Sequence, residues 1–214
     1  MLKFLFDYAD TYGSVIPLIA IIVLFRKVPK ETILLFWYFI FSIALFWYSN
    51  YLADRSIPSV FLYHIFSVAE LAFLLPYFVI ITNKNGLKKI TYWVLGGFIA
   101  VSIINILLLE SLQSLNSNTL AIEFLIIIVY CFIYYLQLSQ TEKLLGFFKE
   151  PTFWIVTGFF VYFAIDVIVF ALYKYAAKYN RAILFDFWAF QEIMYIIKNI
   201  IIAYGILCYR KVRK

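Results

Sequence analysis

The stretch of sequence that decides the fold is Val60–Ile81, VFLYHIFSVAELAFLLPYFVII. Its only ionisable side chains besides tyrosine are His64 and Glu70, and aliphatic and aromatic residues dominate the remainder. At a rise of about 1.5 Å per residue, a helix of this length crosses the roughly 30 Å hydrocarbon core of a bilayer. The run lacks the strict alternation of a membrane β-strand, so it predicts a transmembrane helix.

Six further apolar runs of similar length lie on either side of this one. The predicted spans are Leu5–Phe25, Thr32–Leu52, Ile90–Leu109, Leu120–Leu138, Phe153–Tyr173 and Leu184–Tyr209. Hydrophobic residues make up 65% of the 214 residues and charged residues only 14%, against roughly 25% charged residues in soluble domains. We therefore predict an all-α, polytopic integral membrane bundle of seven transmembrane helices, a single domain over 1–214 with no soluble domain.

Lysine and arginine residues are distributed unequally between the two sides of the predicted bundle. The loops after spans 1, 3 and 5 and the C-terminal tail carry 12 of the 18 basic residues, whereas the other side carries five. The remaining one, Lys198, lies within span 7. Because cytoplasmic loops are enriched in lysine and arginine, we predict an N-terminus outside the cell and a C-terminus in the cytoplasm.

Polar side chains inside the predicted spans mark the candidate site, because ionisable groups are costly in hydrocarbon and usually functional. Most of them fall in the outer half, with several at similar depth, roughly 10–15 Å below the outer helix ends at 1.5 Å per residue. This convergence predicts a polar pocket open to the outside. The candidate ligand-binding residues are Glu70, Asp166, Gln191, Glu192, Tyr195, Lys198, His64, Ser67 and Tyr162.

Lys198 lies too deep in span 7 to reach water easily. We expect it to point into the bundle and to pair with Asp166 or Glu70. Glu192 is disfavoured as the partner, because residues six apart lie on different helix faces. An alternative is that such polar groups only hold the helices together, without any ligand.

Other polar and aromatic residues near span ends are expected to lie at the membrane surface. Glu123, Asp7 and Asp10 are predicted in the headgroup zone. Trp37 and Tyr38 are predicted to be interfacial anchors, as tryptophan and tyrosine often are.

The sequence lacks the motifs of several enzyme classes. One histidine and two distant cysteines, Cys131 and Cys208, are too few for a zinc hydrolase. There is no nucleophile elbow, no phosphate-binding loop and no dinucleotide-binding glycine motif. There is also no soluble basic face for nucleic acid. We therefore expect no enzyme activity, no cofactor, no metal ion and no nucleic-acid partner.

Three short motifs suggest a family. They are Tyr63-His64-Ile65-Phe66 followed by Glu70, Pro151-Thr152-Phe153-Trp154-Ile155, and Ile197-Lys198-Asn199-Ile200. In these motifs the chain resembles small seven-helix bacterial membrane proteins without an established activity, which implies the fold and the bacterial cytoplasmic (inner) membrane. The seven helices and the lysine in the last one also resemble microbial rhodopsins in outline. Met194 stands where those proteins carry an acid, so their motif is absent.

The polar pocket favours a receptor- or sensor-like module. Its expected partners are the lipid bilayer, a small-molecule or ion ligand from the outer side, and a membrane or cytoplasmic protein at the basic loops. One alternative is a small proton- or cation-coupled transporter or channel, in which Glu70, Asp166 and Glu192 bind the ion. Such a protein needs access from both sides, and the inner halves of spans 1, 3 and 7 are nearly all aliphatic. A further alternative is a structural subunit of a membrane complex.

Overall fold

The structure, a computed structural model, describes residues 12–140, 142–179 and 181–212. These residues form seven α-helices, a 3-10 helix and no strand, so the all-α prediction is confirmed. The helices are α1 (Val15–Val23), α2 (Thr32–Asp54), α3 (Phe61–Thr82), α4 (Asn85–Leu108), α5 (Ser117–Ser139), α6 (Pro151–Tyr179) and α7 (Arg181–Val212), with the 3-10 helix at Glu142–Lys149 between α5 and α6.

Six helices, α2 to α7, are long and apolar enough to cross a membrane. They coincide with six of the predicted spans, and the chain is therefore a helical integral membrane protein. Helix α1 covers the second half of the remaining span, Leu5–Phe25, whose beginning lies outside the described residues together with Asp7 and Asp10. The seven-span count and the orientation across the membrane stay predictions.

The described connections gather at two ends of the bundle. The connections after α1, α3 and α5 and the end of α7 form what we call the basic end, where the Thr152 and Tyr209 hydroxyls lie 3.0 Å apart. The connections after α2, α4 and α6 form the opposite end. There the His64 ring at the start of α3 lies 3.2 Å from the carbonyl oxygen of Ser114 in the α4–α5 connection.

Helices α6 and α7 approach each other closely because each contributes a glycine to the contact. A Cβ atom on Gly205 would lie 2.8 Å from the Pro151 carbonyl oxygen and 3.0 Å from the Ile155 nitrogen. A Cβ atom on Gly158 would lie 2.8 Å from the Ile202 side chain and 3.0 Å from the Lys198 carbonyl oxygen. Because these two glycines have no side chains, the backbones of α6 and α7 can approach each other closely, as small residues allow between membrane helices.

Helix α4 lies at the periphery of the bundle. Its Trp93 and Leu107 side chains are 76% and 74% exposed, and nothing lies within 4 Å of a Cβ atom built on Gly96 or Gly97. Large exposed apolar side chains of this kind are the expected lining against lipid in a membrane-spanning bundle.

Candidate functional site

A chain of hydrogen bonds joins three helices in the centre of the bundle. The Tyr38 hydroxyl on α2 donates to Glu70 Oε1 on α3 at 2.6 Å. The Lys198 Nζ on α7 in turn donates to the Tyr38 hydroxyl oxygen at 3.4 Å. All three side chains are buried, with at most 2% exposure. The expected inward orientation of Lys198 is confirmed, and its connection to Glu70 passes through a tyrosine hydroxyl that the sequence did not indicate.

Aromatic rings enclose the Lys198 amino group. Its Nζ lies 3.9 Å from the centre of the Tyr195 ring and 4.2 Å from that of Tyr162. The rings of Tyr38 and Phe163 follow at 5.9 and 6.0 Å. The negative faces of aromatic rings attract an ammonium ion, and the attraction strengthens when water is excluded. This environment explains how a lysine side chain with 1% exposure is accommodated inside the bundle.

Two serines from outside α7 hold Tyr195 in place. Its hydroxyl lies 2.6 Å from Ser14 Oγ, which precedes α1, and 3.0 Å from Ser42 Oγ on α2. Both serines are fully buried. These hydrogen bonds connect α7 with α2 and with the start of α1, next to the Tyr195 ring that faces Lys198. Replacing Tyr195 would therefore remove contacts among three helices.

Two further acids lie beside this cluster. Glu123 on α5 acts electrostatically on Glu70, and Asp166 on α6 lies beside Tyr162 and acts on Lys198. Both are fully buried, and neither carboxylate has a hydrogen-bond partner among the described residues. The prediction that Glu123 lies in the headgroup zone is wrong, because protein encloses its side chain next to Glu70.

A small cavity opens between this cluster and the opposite end. Its volume is about 30 Å³, enough for roughly two water molecules. Five of the predicted site residues line it, namely Glu70, Tyr162, Gln191, Glu192 and Tyr195. The rest of the lining is mostly aromatic or aliphatic, formed by Phe46, Tyr63, Phe66, Leu120, Phe124, Phe170 and Trp188. We call this space the inner cavity.

The other predicted site residues lie outside this lining. Lys198 is buried against the rings of Tyr162 and Tyr195, and Asp166 is buried beside Tyr162. His64 binds the α4–α5 connection through Ser114, and the Ser67 hydroxyl donates to the His64 carbonyl oxygen within α3 at 3.1 Å. His64 and Ser67 therefore have structural contacts rather than a place in the cavity wall.

A wider space adjoins the inner cavity at the opposite end. This vestibule has a volume of about 700 Å³ and is lined by the α4–α5 connection and the starts of α3 and α5. Tyr63 and Trp188 line both spaces, and their ring centres lie 6.4 Å apart. The two rings thus stand between the vestibule and the inner cavity.

Toward the basic end, the bundle interior is closed by apolar packing. The side chains that fill it are fully buried and are contributed by α3, α6 and α7; they include Leu71, Leu74, Leu75, Phe78, Phe159, Phe163, Ile202 and Ile206. Protein interiors pack at high density, so these side chains separate Glu70 from the basic end. The inner cavity is consequently approached from the opposite end.

Several polar contacts in the structure were not predicted from the sequence. Tyr38 was expected at the membrane surface, and that prediction is wrong because the side chain is fully buried, whereas its neighbour Trp37 is 52% exposed. Glu110 accepts hydrogen bonds from Asn105 Nδ2 at 2.7 Å and Ser117 Oγ at 2.8 Å, and so fixes the start of α5. An acid beside a connection rich in serine and asparagine, directly before a helix, is the signal that could have indicated it.

The described residues contain no group of three His, Cys, Asp or Glu side chains placed to hold a metal ion. Cys131 and Cys208 are both free thiols.

No protein-family model, curated protein or solved structure matches the chain. The resemblance to small seven-helix bacterial membrane proteins therefore rests on its three motifs and stays a prediction. What the fold establishes is an all-α integral membrane protein with six helices of membrane-spanning length.

Proposed function

We propose that the chain is a receptor- or sensor-like membrane protein that binds a ligand in the inner cavity. The observation that carries the proposal is the order of spaces along the bundle axis. The vestibule, the Tyr63–Trp188 ring pair and the inner cavity with the acids around it follow one another, and packed apolar residues lie beyond them. A route open toward one end suits binding from one side, whereas transport requires alternating access from both.

The contacts of Tyr195 could transmit ligand binding to a change in helix arrangement. Tyr195 lines the inner cavity, faces Lys198 and binds the serines that precede α1 and lie in α2. A ligand that moves this ring shifts the balance between two arrangements of α1, α2 and α7. Helix α7 ends at the basic end, where the lysine-rich connections would meet a signalling partner. With the predicted orientation, the vestibule faces the outside of the cell.

Side-specific cysteine labelling tests the direction of access. In a Cys208→Ser background, Ser114→Cys marks the vestibule end, Ser139→Cys marks the basic end and Gln191→Cys reports on the inner cavity. Gln191 is partly buried and a membrane-impermeant thiol reagent is larger than the cavity, so labelling requires the Tyr63 and Trp188 rings to move apart. We expect such a reagent to label Gln191→Cys slowly, and only from the side that labels Ser114→Cys, because apolar packing closes the other route. Labelling of Gln191→Cys from the side of Ser139→Cys would contradict the proposal.

A second candidate is a small cation- or proton-coupled transporter or channel. The specific observation in its favour is that Glu123 and Asp166 are buried without hydrogen-bond partners among the described residues, as ion-binding carboxylates can be. Flux of protons or cations into proteoliposomes, lost in Glu70→Gln or Asp166→Asn, would place this function first.

A further inference from the structure

The surroundings of the inner cavity hold more acidic than basic side chains. Glu70, Glu123 and Asp166 are all buried, with at most 2% exposure, and Glu192 also lines the cavity. Lys198 is the one buried Lys or Arg side chain among the described residues. Buried carboxylates that exceed their counter-charges must take up protons or gain a cation, because an isolated buried charge is very costly.

Two of these acids lack the partners that a purely structural role would give them. Neither oxygen of Glu123 and neither oxygen of Asp166 has a hydrogen-bond partner among the described residues, although both side chains are fully buried. Glu110, also buried, shows the contrast, since it accepts hydrogen bonds from Asn105 and Ser117. Glu123 lies beside Glu70, and Asp166 lies beside Tyr162 and Gln191, without a short hydrogen bond in either case. Buried polar groups in native proteins are nearly always satisfied, so these two acids require a proton, a donor or a cation.

The aromatic lining selects among cations. Tyr162 and Tyr195 line the cavity, and their rings hold the Lys198 ammonium at 4.2 and 3.9 Å. The protein therefore already uses these rings to hold an alkylammonium group. Hard metal ions prefer several carboxylate and other oxygen ligands, and no group of three His, Cys, Asp or Glu side chains among the described residues is placed to hold one.

The volume of the cavity limits the size of the ligand. About 30 Å³ accommodates roughly two particles the size of a water molecule. A ligand that enters without rearrangement therefore has about two non-hydrogen atoms.

We infer that the inner cavity binds a small protonated amine, with its ammonium group toward Glu70 and its carbon against the aromatic lining. The inference rests on the proposed function, since the amine reaches the cavity through the vestibule. Glu70 forms part of the cavity wall, and Glu123 and Asp166 lie close by on α5 and α6 and supply further negative potential. A ligand of two heavy atoms can reach an affinity only in the millimolar range.

Methylammonium and methanol are matched probes, because each has two non-hydrogen atoms and only the former is charged. Both are added at equal concentration to the full chain in detergent micelles, and saturation-transfer NMR reads their two methyl signals separately. We expect a transfer signal for methylammonium and none for methanol. Glu70→Gln keeps an acceptor for the Tyr38 hydroxyl but removes the charge, and should weaken methylammonium binding about tenfold.

Two more variants test whether binding depends on the cavity and on its nearby charge. Leu120→Phe fills the cavity without altering any charge and should also abolish the methylammonium signal. Glu31→Gln removes an acid that precedes α2 at the basic end and should leave the signal unchanged. Circular dichroism confirms that each variant is helical before it is compared.

The outcomes separate the ligand class from the proposed function. Equal signals for methanol and methylammonium, no signal for methylammonium, or a signal that survives both Glu70→Gln and Leu120→Phe would overturn the amine inference. If Gln191→Cys is nevertheless labelled from the vestibule side alone, the proposed function stands and only the ligand class is wrong. If Gln191→Cys is labelled from the basic end, the proposed function fails with it.

Discussion

Replacing Lys198 with methionine is expected to destabilise the folded chain by about 3–5 kcal/mol, because it leaves buried carboxylates without their counter-charge. The replaced amino group donates to Tyr38, which donates to Glu70, and four aromatic rings surround it. The loss is measured as the free energy of unfolding in mixed micelles, followed by circular dichroism. Lys89→Met, an exposed lysine at the start of α4, is the matched control and should change little.

A second substitution identifies the partner of Lys198. Glu70→Gln in the Lys198→Met background should recover part of the lost stability, since it removes the acid that the lysine balances. Glu70 has the strongest electrostatic interaction with Lys198, followed by Asp166 and Glu192. We therefore expect less recovery from Asp166→Asn. If Lys198→Met alone is as stable as the parent, the lysine does not balance the buried acids.

Gly205→Val should also destabilise the chain strongly, by about 3 kcal/mol or more, because the new side chain meets backbone atoms. Already its Cβ atom would lie 2.8 Å from the Pro151 carbonyl oxygen and 3.0 Å from the Ile155 nitrogen. Backbone within α6 cannot move aside as a flexible side chain can, so the two helices must separate. The separation would also displace Lys198, which lies two turns earlier on α7.

Gly97→Val is the matched control for this effect. Gly97 lies in the middle of α4, and nothing stands within 4 Å of a Cβ atom built there. Its replacement should be close to neutral, since valine and glycine differ little in helix propensity. Equal unfolding free energies for Gly205→Val and Gly97→Val would show that α6 and α7 do not pack as closely as described.

The positions of the long helices could be predicted because bilayer thickness fixes the length of an apolar run. Thr32–Leu52 and Phe153–Tyr173, for example, lie within α2 and α6. The inward direction of Lys198 was predictable for a related reason, since a charged group facing lipid is too costly. Both predictions depend only on residue composition and on the roughly 3.6-residue period of a helix, and both can be read from the sequence.

The partners of Lys198 could not be predicted, because tyrosine suits both the membrane surface and a hydrogen-bonded interior. Tyr38 is adjacent to the exposed Trp37 in the sequence. Only the packing of α2 against α3 determines that the Tyr38 side chain is buried and the Trp37 side chain is exposed. Glu123 was misplaced because α5 begins at Ser117, three residues before the predicted span, so the acid lies deeper in the helix. The size of the cavity depends on how the surrounding rings pack, which no pattern in the chain specifies.

The most direct test of one-sided access to the inner cavity removes the ring that closes it. Trp188→Ala opens the Tyr63–Trp188 pair and should speed the labelling of Gln191→Cys from the side that labels Ser114→Cys. The expected factor is about ten, which corresponds to the loss of one aromatic ring contact. Labelling from the side of Ser139→Cys should remain undetectable. An unchanged labelling rate, or a labelling rate that rises from the basic end, would contradict one-sided access to the inner cavity.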